Sequence, residues 1–382
     1  LERYKIVARE LLPSSACSTY ELTADDAQAR IVELLRVTAA HPVTRTSLRD
    51  EIVSFGEMLS ANLLAEVLRS RGLDALYVDA RQCIITDDEH GAAMPIFELT
   101  NARLQEKVQP VIDAGKIPVM GGFIGSGISG ATTTLGRGGS DYSAAIVGAG
   151  LSAREIQIWT DVPGVLSADP RMVKNARSIP RLSYSEAAEL AYFGAKVLHP
   201  KTIQPAVEQN IPVRICNSRE PEGDGTIVSS ETERVERTVK AIAHKSGITI
   251  IQVTSARMLG AFGFLRALFE IFEKHRIVID VVTTSEVSVS LTIDDTSKLR
   301  EIIDELQELG SVRIVRDVAI ICIVGEGLRD TPGIAARAFN TINSLNVVLI
   351  SQGASSVNLT FAIEAVHVNE SVSRLHAAFF ED

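Results

Sequence analysis

The sequence predicts an α/β protein that continues into two copies of a small ferredoxin-like module. Strands alternate with helices between residues 48 and 216, which is typical of a largely parallel sheet covered by helices. A polar segment at 222–237 interrupts this alternation and indicates a domain boundary. Beyond it, residues 263–293 align without a gap on residues 333–363, and such an internal repeat indicates a duplicated module.

The first predicted element is a long helix from Leu48 to Arg71, because apolar residues recur there at helical spacing and Gly72 follows as a stop signal. Ser183 and Glu186 form a capping box, which predicts the start of a later helix. The same periodicity arguments predict, in chain order, strands 75–78 and 84–85, helix 99–114, strand 117–120, helix 142–150, strand 155–159 and strand 212–216.

Each copy of the repeat reads as strand, helix, strand, strand and helix, which is the pattern of a split βαβ, ferredoxin-like unit. Gly263 in the first copy matches Gly333 in the second. Further matched pairs are Phe269 with Phe339, Val278 with Val348, and Ser285 with Ser355. Such a small module needs a partner surface, and equivalent modules on two chains can pair, so we expect a dimer.

The composition is that of an ordinary globular protein, with 46% apolar and 23% charged residues. A formal net charge of −10 and the lack of a basic stripe argue against nucleic acid as a partner. No apolar run approaches the roughly 20 residues that span a bilayer, so we expect a cytoplasmic protein without a membrane partner. The cysteines are too scattered for a zinc site or a disulfide framework, which predicts reduced, buried thiols at Cys17, Cys83, Cys216 and Cys322.

The most informative segment is 121–142, where eight glycines lie between a predicted strand and a predicted helix. Glycine lets the backbone approach a ligand closely, and a helix N-terminus offers free amides to an anion, so a phosphate or carboxylate site fits. A purely structural turn is the alternative. Arg137 lies within the cluster and favours a ligand site, because its guanidinium can hold a carboxylate at two points.

Two common nucleotide motifs are excluded. The chain has no GxxxxGK[ST] segment, so it has no ordinary P-loop. The GxGxxG-like stretch Gly125–Gly130 has no acidic residue at the end of a following strand to hold a ribose, which argues against a bound dinucleotide.

Five segments carry a family resemblance when their order and spacing are taken together. They are SFGEMLS (54–60), GFIGS (122–126), TTLGRGGSDYSA (133–144), WTDVPGVLSADPR (159–171) and FGAKVLHP (193–200). In this arrangement the chain resembles the aspartate kinases, specifically the monofunctional, lysine-sensitive type with tandem ACT domains, and the similarity extends to Phe380.

The resemblance implies an α/β amino-acid kinase fold, a mostly parallel sheet flanked by helices, over residues 1–235. Two ferredoxin-like βαββαβ ACT domains are expected at 236–316 and 317–382. Aspartate kinases open with a strand and a KFGGTS glycine loop whose lysine reaches the transferring phosphate, whereas this chain begins with LERYKIVARELL. We therefore expect that segment to be missing through truncation, with loss of kinase activity as the alternative.

The implied reaction transfers the γ-phosphoryl group of ATP, with Mg²⁺, to the side-chain carboxylate of L-aspartate, giving 4-phospho-L-aspartate and ADP at the entry to lysine, threonine and methionine synthesis. The implied substrate set is Glu57 for the amino group, Arg137 for a carboxylate, and Phe123, Gly138, Gly139 and Ser140 beside them. The implied nucleotide set is Thr160, Asp161, Leu166, Arg171, Lys196 and Val197, with leucine at 166 where the family often has tyrosine. For the charged members, a solvated side chain without a ligand is the alternative.

By the same resemblance, free L-lysine binds the first ACT domain and inhibits the enzyme from a distance. The residues that the resemblance implies for binding of free L-lysine are Met258, Ala261, Phe264, Leu265, Val278, Ile279, Asp280, Ser285 and Glu286. Threonine remains an alternative effector, and a homodimer through the ACT domains, or a tetramer, is expected. The leading alternative function is a catalytically inactive, amino-acid-sensing regulatory subunit, whereas kinases of the same fold that act on glutamate or uridylate are not expected to combine these segments with tandem modules.

Overall fold

The computed structural model describes residues 1–40, 45–194, 200–230, 238–260 and 262–381. The chain forms two compact units, the first of residues 1–159 with 198–214 and the second of residues 160–197 with 215–382. The helices are α1 (Glu2–Leu11), α2 (Ser14–Ala40), α3 (Arg45–Ser70), α4 (Phe97–Lys107), α5 (Gln109–Asp113), α6 (Gly139–Gly150), α7 (Tyr184–Tyr192), α8 (Pro200–Glu208), α9 (Phe264–His275), α10 (Leu299–Leu309), α11 (Ile334–Thr341) and α12 (Val368–Phe380). The strands are β1 (Ala75–Val78), β2 (Ile85–Thr86), β3 (Ile117–Met120), β4 (Ile124–Gly127), β5 (Thr132–Thr134), β6 (Ile156–Thr160), β7 (Arg181–Ser183), β8 (Val213–Asn217), β9 (Thr226–Ser229), β10 (Ala241–Thr254), β11 (Val282–Thr284), β12 (Ser288–Ile293), β13 (Ser311–Val324), β14 (Leu349–Gln352) and β15 (Asn358–Glu364).

The first unit opens with two helices, α1 and α2, that the sequence analysis did not predict. They pack with α3 around a buried cluster that includes Ala8, Tyr20 and Leu59, and the Tyr20 hydroxyl donates to the carbonyl oxygen of Leu59 at 3.0 Å. The predicted helix that stops at Gly72 is confirmed as α3, and Gly72 has a φ of 85°. Glycine adopts this left-handed conformation without the strain that a side chain would add, so the helix ends there.

The parallel strands of the first unit lie in short sheets rather than in one continuous sheet. β1 is parallel to β3, β2 is parallel to β4, and β4 is antiparallel to β5. The strands predicted at 75–78 and 117–120 are confirmed as β1 and β3. The helix predicted at 99–114 is divided into α4 and α5, because Pro110 lacks the N–H that would continue the hydrogen-bond ladder.

A further sheet has four strands in the order β6, β8, β9 and β7, with β7 parallel to β9. β9 lies inside the segment 222–237 that was predicted to be a boundary, so that prediction was wrong for Thr226–Ser229. The reason is that Thr226, a polar residue, is fully buried with its hydroxyl donating to the Ile179 carbonyl and accepting from the Val165 amide. Residues 231–237 lie outside the described residues.

The capping box predicted for α7 is confirmed. The Ser183 hydroxyl oxygen accepts from the Glu186 amide at 3.1 Å, and the Glu186 carboxylate accepts from the Ser183 amide at 2.7 Å. The same carboxylate forms an ion pair at 2.7 Å with Lys240, and both side chains are buried. The first turn of α7 is thereby joined to the residue that precedes β10.

The C-terminal part of the second unit is a six-stranded antiparallel sheet in the order β11, β12, β10, β13, β15 and β14. The predicted repeat is confirmed, since α9 and α11 follow Gly263 and Gly333, whose φ angles of 84° and 87° match. The two modules share their long strands. The first half of β10, Ala241–Lys245, pairs with the second half of β13, whereas Thr249–Thr254 pairs with β12 and with the first half of β13. The second module is thus completed by a strand segment that precedes the first module in the chain.

Each module has its own apolar core. Leu268, Phe272 and Ile302 belong to the first core, and Phe361 and Leu375 to the second. All four cysteines are free and buried, as predicted. Along the described ranges, no helix is both long enough and apolar enough to cross a bilayer.

Candidate active site

The glycine-rich segment surrounds the N-terminus of α6 in the first unit. Gly138 precedes the helix with a φ of 70°, and no side chain caps the first turn. An ideal Cβ on Gly122 would lie 3.0 Å from Cα of Ser140, and one on Gly139 would lie 2.6 Å from Cδ2 of Phe123. These close approaches require glycine, and they bring four of the predicted substrate residues together around uncapped helix amides.

Phe123 is held in a backbone conformation that side-chain-bearing residues rarely adopt, with a φ of 70°. Its N–H donates to the Ser143 hydroxyl oxygen at 2.8 Å, and its carbonyl accepts from the Leu135 amide at 2.9 Å. The Ser143 hydroxyl donates in turn to the Gly139 carbonyl at 2.9 Å. Backbone strain of this kind clusters at ligand sites, where surrounding contacts maintain it.

Glu57 and Arg137 supply the charges of this site. Gly121 lies so near α3 that an ideal Cβ on it would be 3.1 Å from the Glu57 carbonyl oxygen. Glu57 is half-buried, and burial raises the pKa of its carboxyl group. Arg137 is exposed and has no hydrogen-bond or ion-pair partner among the residues that the structure describes. One cation, one anion and free amides match a small zwitterion with an extra carboxylate.

Two acidic residues near this site were missed from the sequence. Asp141, in the first turn of α6, is half-buried, and burial raises its pKa. Asp50, two turns before Glu57 on α3, is buried and accepts from the Thr134 hydroxyl at 2.9 Å and the Gly91 amide at 2.8 Å. An acidic residue at a helix start beside the glycines was a visible signal for Asp141. Nothing local marks Asp50, because its partners lie 41 and 84 residues away.

A pocket of about 380 Å³ lies in the second unit. Four predicted nucleotide residues line it, namely Thr160, Asp161, Leu166 and Arg171. The other two, Lys196 and Val197, lie outside the described residues. α7, the turn that follows it, and β10 complete the wall with Leu190, Gly194, Ile242, Ala243 and His244.

Charged side chains at the rim of this pocket form ion pairs with one another or with neighbouring residues of the chain. Asp169 accepts two hydrogen bonds from Arg171, at 3.0 Å to Nε and 2.6 Å to Nη2, and this contact lowers the pKa of Asp169. Arg219 lies 3.8 Å from Asp161. Arg171 and Asp161 are both exposed, so an incoming phosphate or ribose can exchange with these pairs.

His244 was not indicated by the sequence, although it lines the pocket. Burial lowers the pKa of its imidazole, which favours the neutral ring in the folded protein. His244 lies on β10, in the six-stranded antiparallel sheet of the two modules. No sequence pattern connects that strand to a nucleotide.

The residues predicted to bind L-lysine have different environments. Met258, Phe264 and Ile279 pack on the core of the first module, whereas Leu265, Val278, Ser285 and Glu286 are exposed. Asp280 has a side chain that is only 1% exposed and is paired with Lys245. Ala261 lies outside the described residues. No side chain caps α9, so its first-turn amides have no side-chain acceptor.

A glycine-rich site with charged groups at a helix N-terminus, a pocket of about 380 Å³ and tandem ferredoxin-like modules together match a kinase of the amino-acid-phosphorylating class. The sequence profile of the Amino acid kinase family matches residues 7–217, and that of the ACT domain matches residues 321–379.

Whole-chain comparisons are more specific. Lysine-sensitive aspartokinase 3 of Escherichia coli is 38% identical over 362 residues, covering 92% of this chain and 80% of the relative. Chloroplastic aspartokinase 3 of Arabidopsis thaliana is 41% identical over 87% of this chain, which spans 62% of that relative. The crystal structure of E. coli aspartokinase III with aspartate and ADP matches with a TM-score of 0.85 at 36% identity, over 98% of this chain and 84% of that chain. The same enzyme with lysine and aspartate has a TM-score of 0.78 at 36% identity, over 95% and 82% of the two chains. The chain belongs to the aspartokinases.

Proposed function

We propose that this chain transfers the γ-phosphoryl group of MgATP to the side-chain carboxylate of L-aspartate, forming 4-phospho-L-aspartate and ADP. The observation that carries the proposal is the unpaired guanidinium of Arg137 beside the uncapped N-terminus of α6, with Glu57 adjacent to the same glycine segment. Arg137 would hold one carboxylate, helix amides would receive the other, and Glu57 would hold the ammonium group.

The second pocket is the place we assign to the nucleotide. Its volume of about 380 Å³ and its exposed rim charges, Asp161 and Arg171, suit a polyphosphate nucleotide. Magnesium enters with ATP and is usually bound by one or two carboxylates plus phosphate oxygens, so it needs no cage of protein ligands. Phosphoryl transfer depends mainly on positioning and charge neutralisation, and the substrate carboxylate itself is the nucleophile.

The proposal is tested by measuring ADP release with L-aspartate, L-glutamate and L-asparagine as acceptors, in the full-length protein and in its Arg137→Ala variant. We expect turnover with L-aspartate alone, and an aspartate KM that rises by about 10- to 100-fold in the variant, because a charge-assisted hydrogen bond is lost. ADP affinity, measured by calorimetry, should stay within about twofold, because Arg137 is not among the residues that line the proposed nucleotide pocket.

Arg154→Ala is the matched control, since Arg154 is exposed in the same unit and outside the glycine segment. An unchanged aspartate KM in Arg137→Ala would overturn the site assignment. Binding of amino acids without any ADP release from the unaltered chain would instead support the regulatory-subunit alternative.

We also propose that L-lysine is the effector and that it binds the first ACT module. The uncapped start of α9 can receive its carboxylate, and the exposed carboxylate of Glu286 can receive an ammonium group. Calorimetric titration with lysine, threonine and methionine identifies the effector. Ser285→Leu should weaken lysine binding, whereas Glu308→Gln, on the exposed face of α10, should not. Equal lysine affinity in all three proteins would place the site elsewhere.

A further inference from the structure

The carboxylate of Asp280, in the first ACT module, is turned into the protein. Its side chain is 1% exposed, and Oδ1 accepts from Lys245 Nζ at 2.7 Å and from the Tyr192 hydroxyl at 2.5 Å. Oδ2 is buried without a hydrogen-bond partner in the described part of the chain. Lys245 also pairs with Asp294 at 2.9 Å and lies 4.9 Å from the centre of the Tyr192 ring. Asp280 is therefore the centre of a compact, mostly buried cluster, and such clusters are sensitive to the loss of any member.

The two groups that Asp280 binds belong to the two elements behind the proposed nucleotide pocket. Tyr192 is the last residue of α7, and the residues two positions before and after it, Leu190 and Gly194, line the pocket. Lys245 follows directly after residues 242–244 of β10, which line the same pocket. One carboxylate of the first module thus contacts both parts of the wall, through two residues that do not themselves line the pocket.

The turn after α7 and strand β10, which form the two parts of the wall, are in close backbone contact. Gly194 has a φ of 122°, and an ideal Cβ on it would lie 2.2 Å from the carbonyl oxygen of His244. Backbone meets backbone at this point, so α7 cannot move relative to β10 without changing the shape of the pocket. The first turn of α7 is fixed separately by the buried pair between Glu186 and Lys240 at 2.7 Å. A displacement of the Tyr192 end of the helix would therefore be transmitted directly to the pocket wall.

We propose that Tyr192 is a positioning residue for the nucleotide, and that its hydrogen bond to Asp280 transmits the state of the first ACT module to the nucleotide pocket. This inference rests on the proposed nucleotide role of that pocket. Burial, reinforced by Asp280, raises the pKa of Tyr192, so the phenol stays a donor throughout the working range. An effector ammonium that approaches Asp280 competes with Tyr192 and Lys245 for the same carboxylate. Such a ligand changes nucleotide affinity to the extent that it binds the two arrangements unequally.

The test compares Tyr192→Phe, Asp280→Asn and the double variant with the unaltered chain, using ADP affinity by calorimetry and steady-state kinetics. Tyr192→Phe removes only the hydroxyl group. We expect ADP dissociation constants and ATP KM values to rise by about three- to tenfold in each single variant, as is typical for one lost hydrogen bond. The aspartate KM and kcat should stay within about twofold. The double variant should bind ADP no more weakly than the more affected single variant, because both changes act on the same contact: Tyr192→Phe removes the donor, and Asp280→Asn removes the charge of the acceptor.

Asp294→Asn is the matched control, since it removes the half-exposed carboxylate that shares Lys245 but does not touch Tyr192. It should leave ADP affinity unchanged. Thermal unfolding and near-ultraviolet circular dichroism verify that each variant is folded. If Tyr192→Phe is unstable, the ADP affinity of Asp280→Asn, which preserves side-chain volume, tests the same contact.

The outcomes separate this inference from the proposed function. Unchanged ADP affinity in folded Tyr192→Phe, or additive effects in the double variant, overturns the positioning role and leaves the kinase assignment intact. If the unaltered chain binds no ADP, or if Asp161→Ala binds it as well as the unaltered chain does, the nucleotide role of the pocket fails and the inference fails with it.

Discussion

Glu57 is a carboxylate in surroundings that disfavour its charge. Burial raises its pKa above the ordinary value of 4.5, so the folded chain binds a proton there more tightly than the unfolded chain does. The contribution of this group to stability therefore declines as the pH rises from about 4.5 through the raised pKa. A bound ammonium group would offset that penalty, which is a common compromise between stability and function.

We predict that Glu57→Gln unfolds at a slightly higher temperature at neutral pH but has an aspartate KM about tenfold higher. The KM of the unaltered chain should also rise as the pH falls toward the raised pKa of Glu57, because protonation removes the anion, and the variant should lack this dependence. Differential scanning calorimetry and pH-dependent kinetics measure the two effects. Glu66→Gln, on the same helix α3, is the control. A less stable variant with an unchanged aspartate KM would contradict the prediction.

Single residues could be predicted where a local pattern carries the information. Arg137 was identifiable because it interrupts a run of glycines beside a predicted helix start. Asp50 and His244 were not, because their roles come from contacts made across the fold, such as the Asp50 bond to Thr134, 84 residues away. Long-range partners of this kind leave no trace in a short sequence window.

Among the elements, α7 is joined to the regulatory sheet at its first turn by a buried ion pair. Lys240 and Glu186 have side-chain exposures of 7% and 0%, and the other Glu186 oxygen has no hydrogen-bond partner in the residues described. We predict that Lys240→Met lowers the free energy of unfolding by about 3–5 kcal/mol, because it leaves a carboxylate buried without its cation. Urea denaturation measures the change.

Lys116→Met provides the control, since Lys116 forms an exposed pair with Asp74 at 3.6 Å and its loss should cost less than about 1 kcal/mol. The double variant Lys240→Met/Glu186→Gln should recover part of the stability. Equal losses from Lys240→Met and Lys116→Met would show that the buried pair does not stabilise α7.

Elements with one clear apolar stripe or strand pattern could be predicted from the sequence, as α3, β1 and β3 were. α2 was missed because serine and threonine, which are weak helix formers, recur in its first turns. Ser18, Thr19 and Thr23 each donate to the carbonyl four residues earlier, so the helix itself satisfies their hydroxyl groups. β9 was missed because it has only four residues within a largely polar stretch, and its place in the sheet between β8 and β7 depends on distant partners.

At the scale of the whole molecule, the second ACT module responds to pH through His376. This histidine is fully buried with Nε2 at 2.9 Å from the Ser167 hydroxyl, and burial lowers its pKa although Glu381 is nearby. The folded chain therefore holds the ring neutral, and its contribution to stability is complete above about pH 6.5 and is lost as the pH falls through the lowered pKa. His244, whose pKa burial also lowers, acts in the same direction.

We predict that the free energy of unfolding is nearly constant between about pH 8 and 7 and falls below about pH 6.5. In His376→Gln the fall should be shallower, whatever the absolute stability of the variant. Urea titrations at a series of pH values measure the slope. His367→Gln, which changes a half-exposed histidine just before α12, should retain the slope of the unaltered chain. Identical slopes in all three proteins would exclude His376 as the source.

The proposed homodimer has a candidate surface on the first ACT module. Phe262 and Phe269 are exposed at the start and along the face of α9, with Val278 65% exposed nearby in sequence. Exposed large apolar side chains are candidates for a protein interface. We predict that Phe269→Glu converts a dimer to a monomer in light scattering, whereas Leu22→Glu, at an exposed position of α2, does not. A monomeric unaltered chain would contradict the proposal.

Because the two ACT modules share strands β10 and β13, the start of β10 is synthesised well before the strand with which it pairs. Ala241 and Ile242, at the start of β10, are buried and pair with Val324 and Ile323, which come about 80 residues later in the chain. A ribosome adding roughly 5–20 residues per second makes those partners only about 4–15 s later. Until β13 has been made, the apolar start of β10 lacks the strand with which it pairs. The nascent chain therefore exposes an unpaired strand edge for a short time. Conditions that slow elongation between Lys245 and Ile320 should increase binding of the nascent chain by chaperones, or its aggregation.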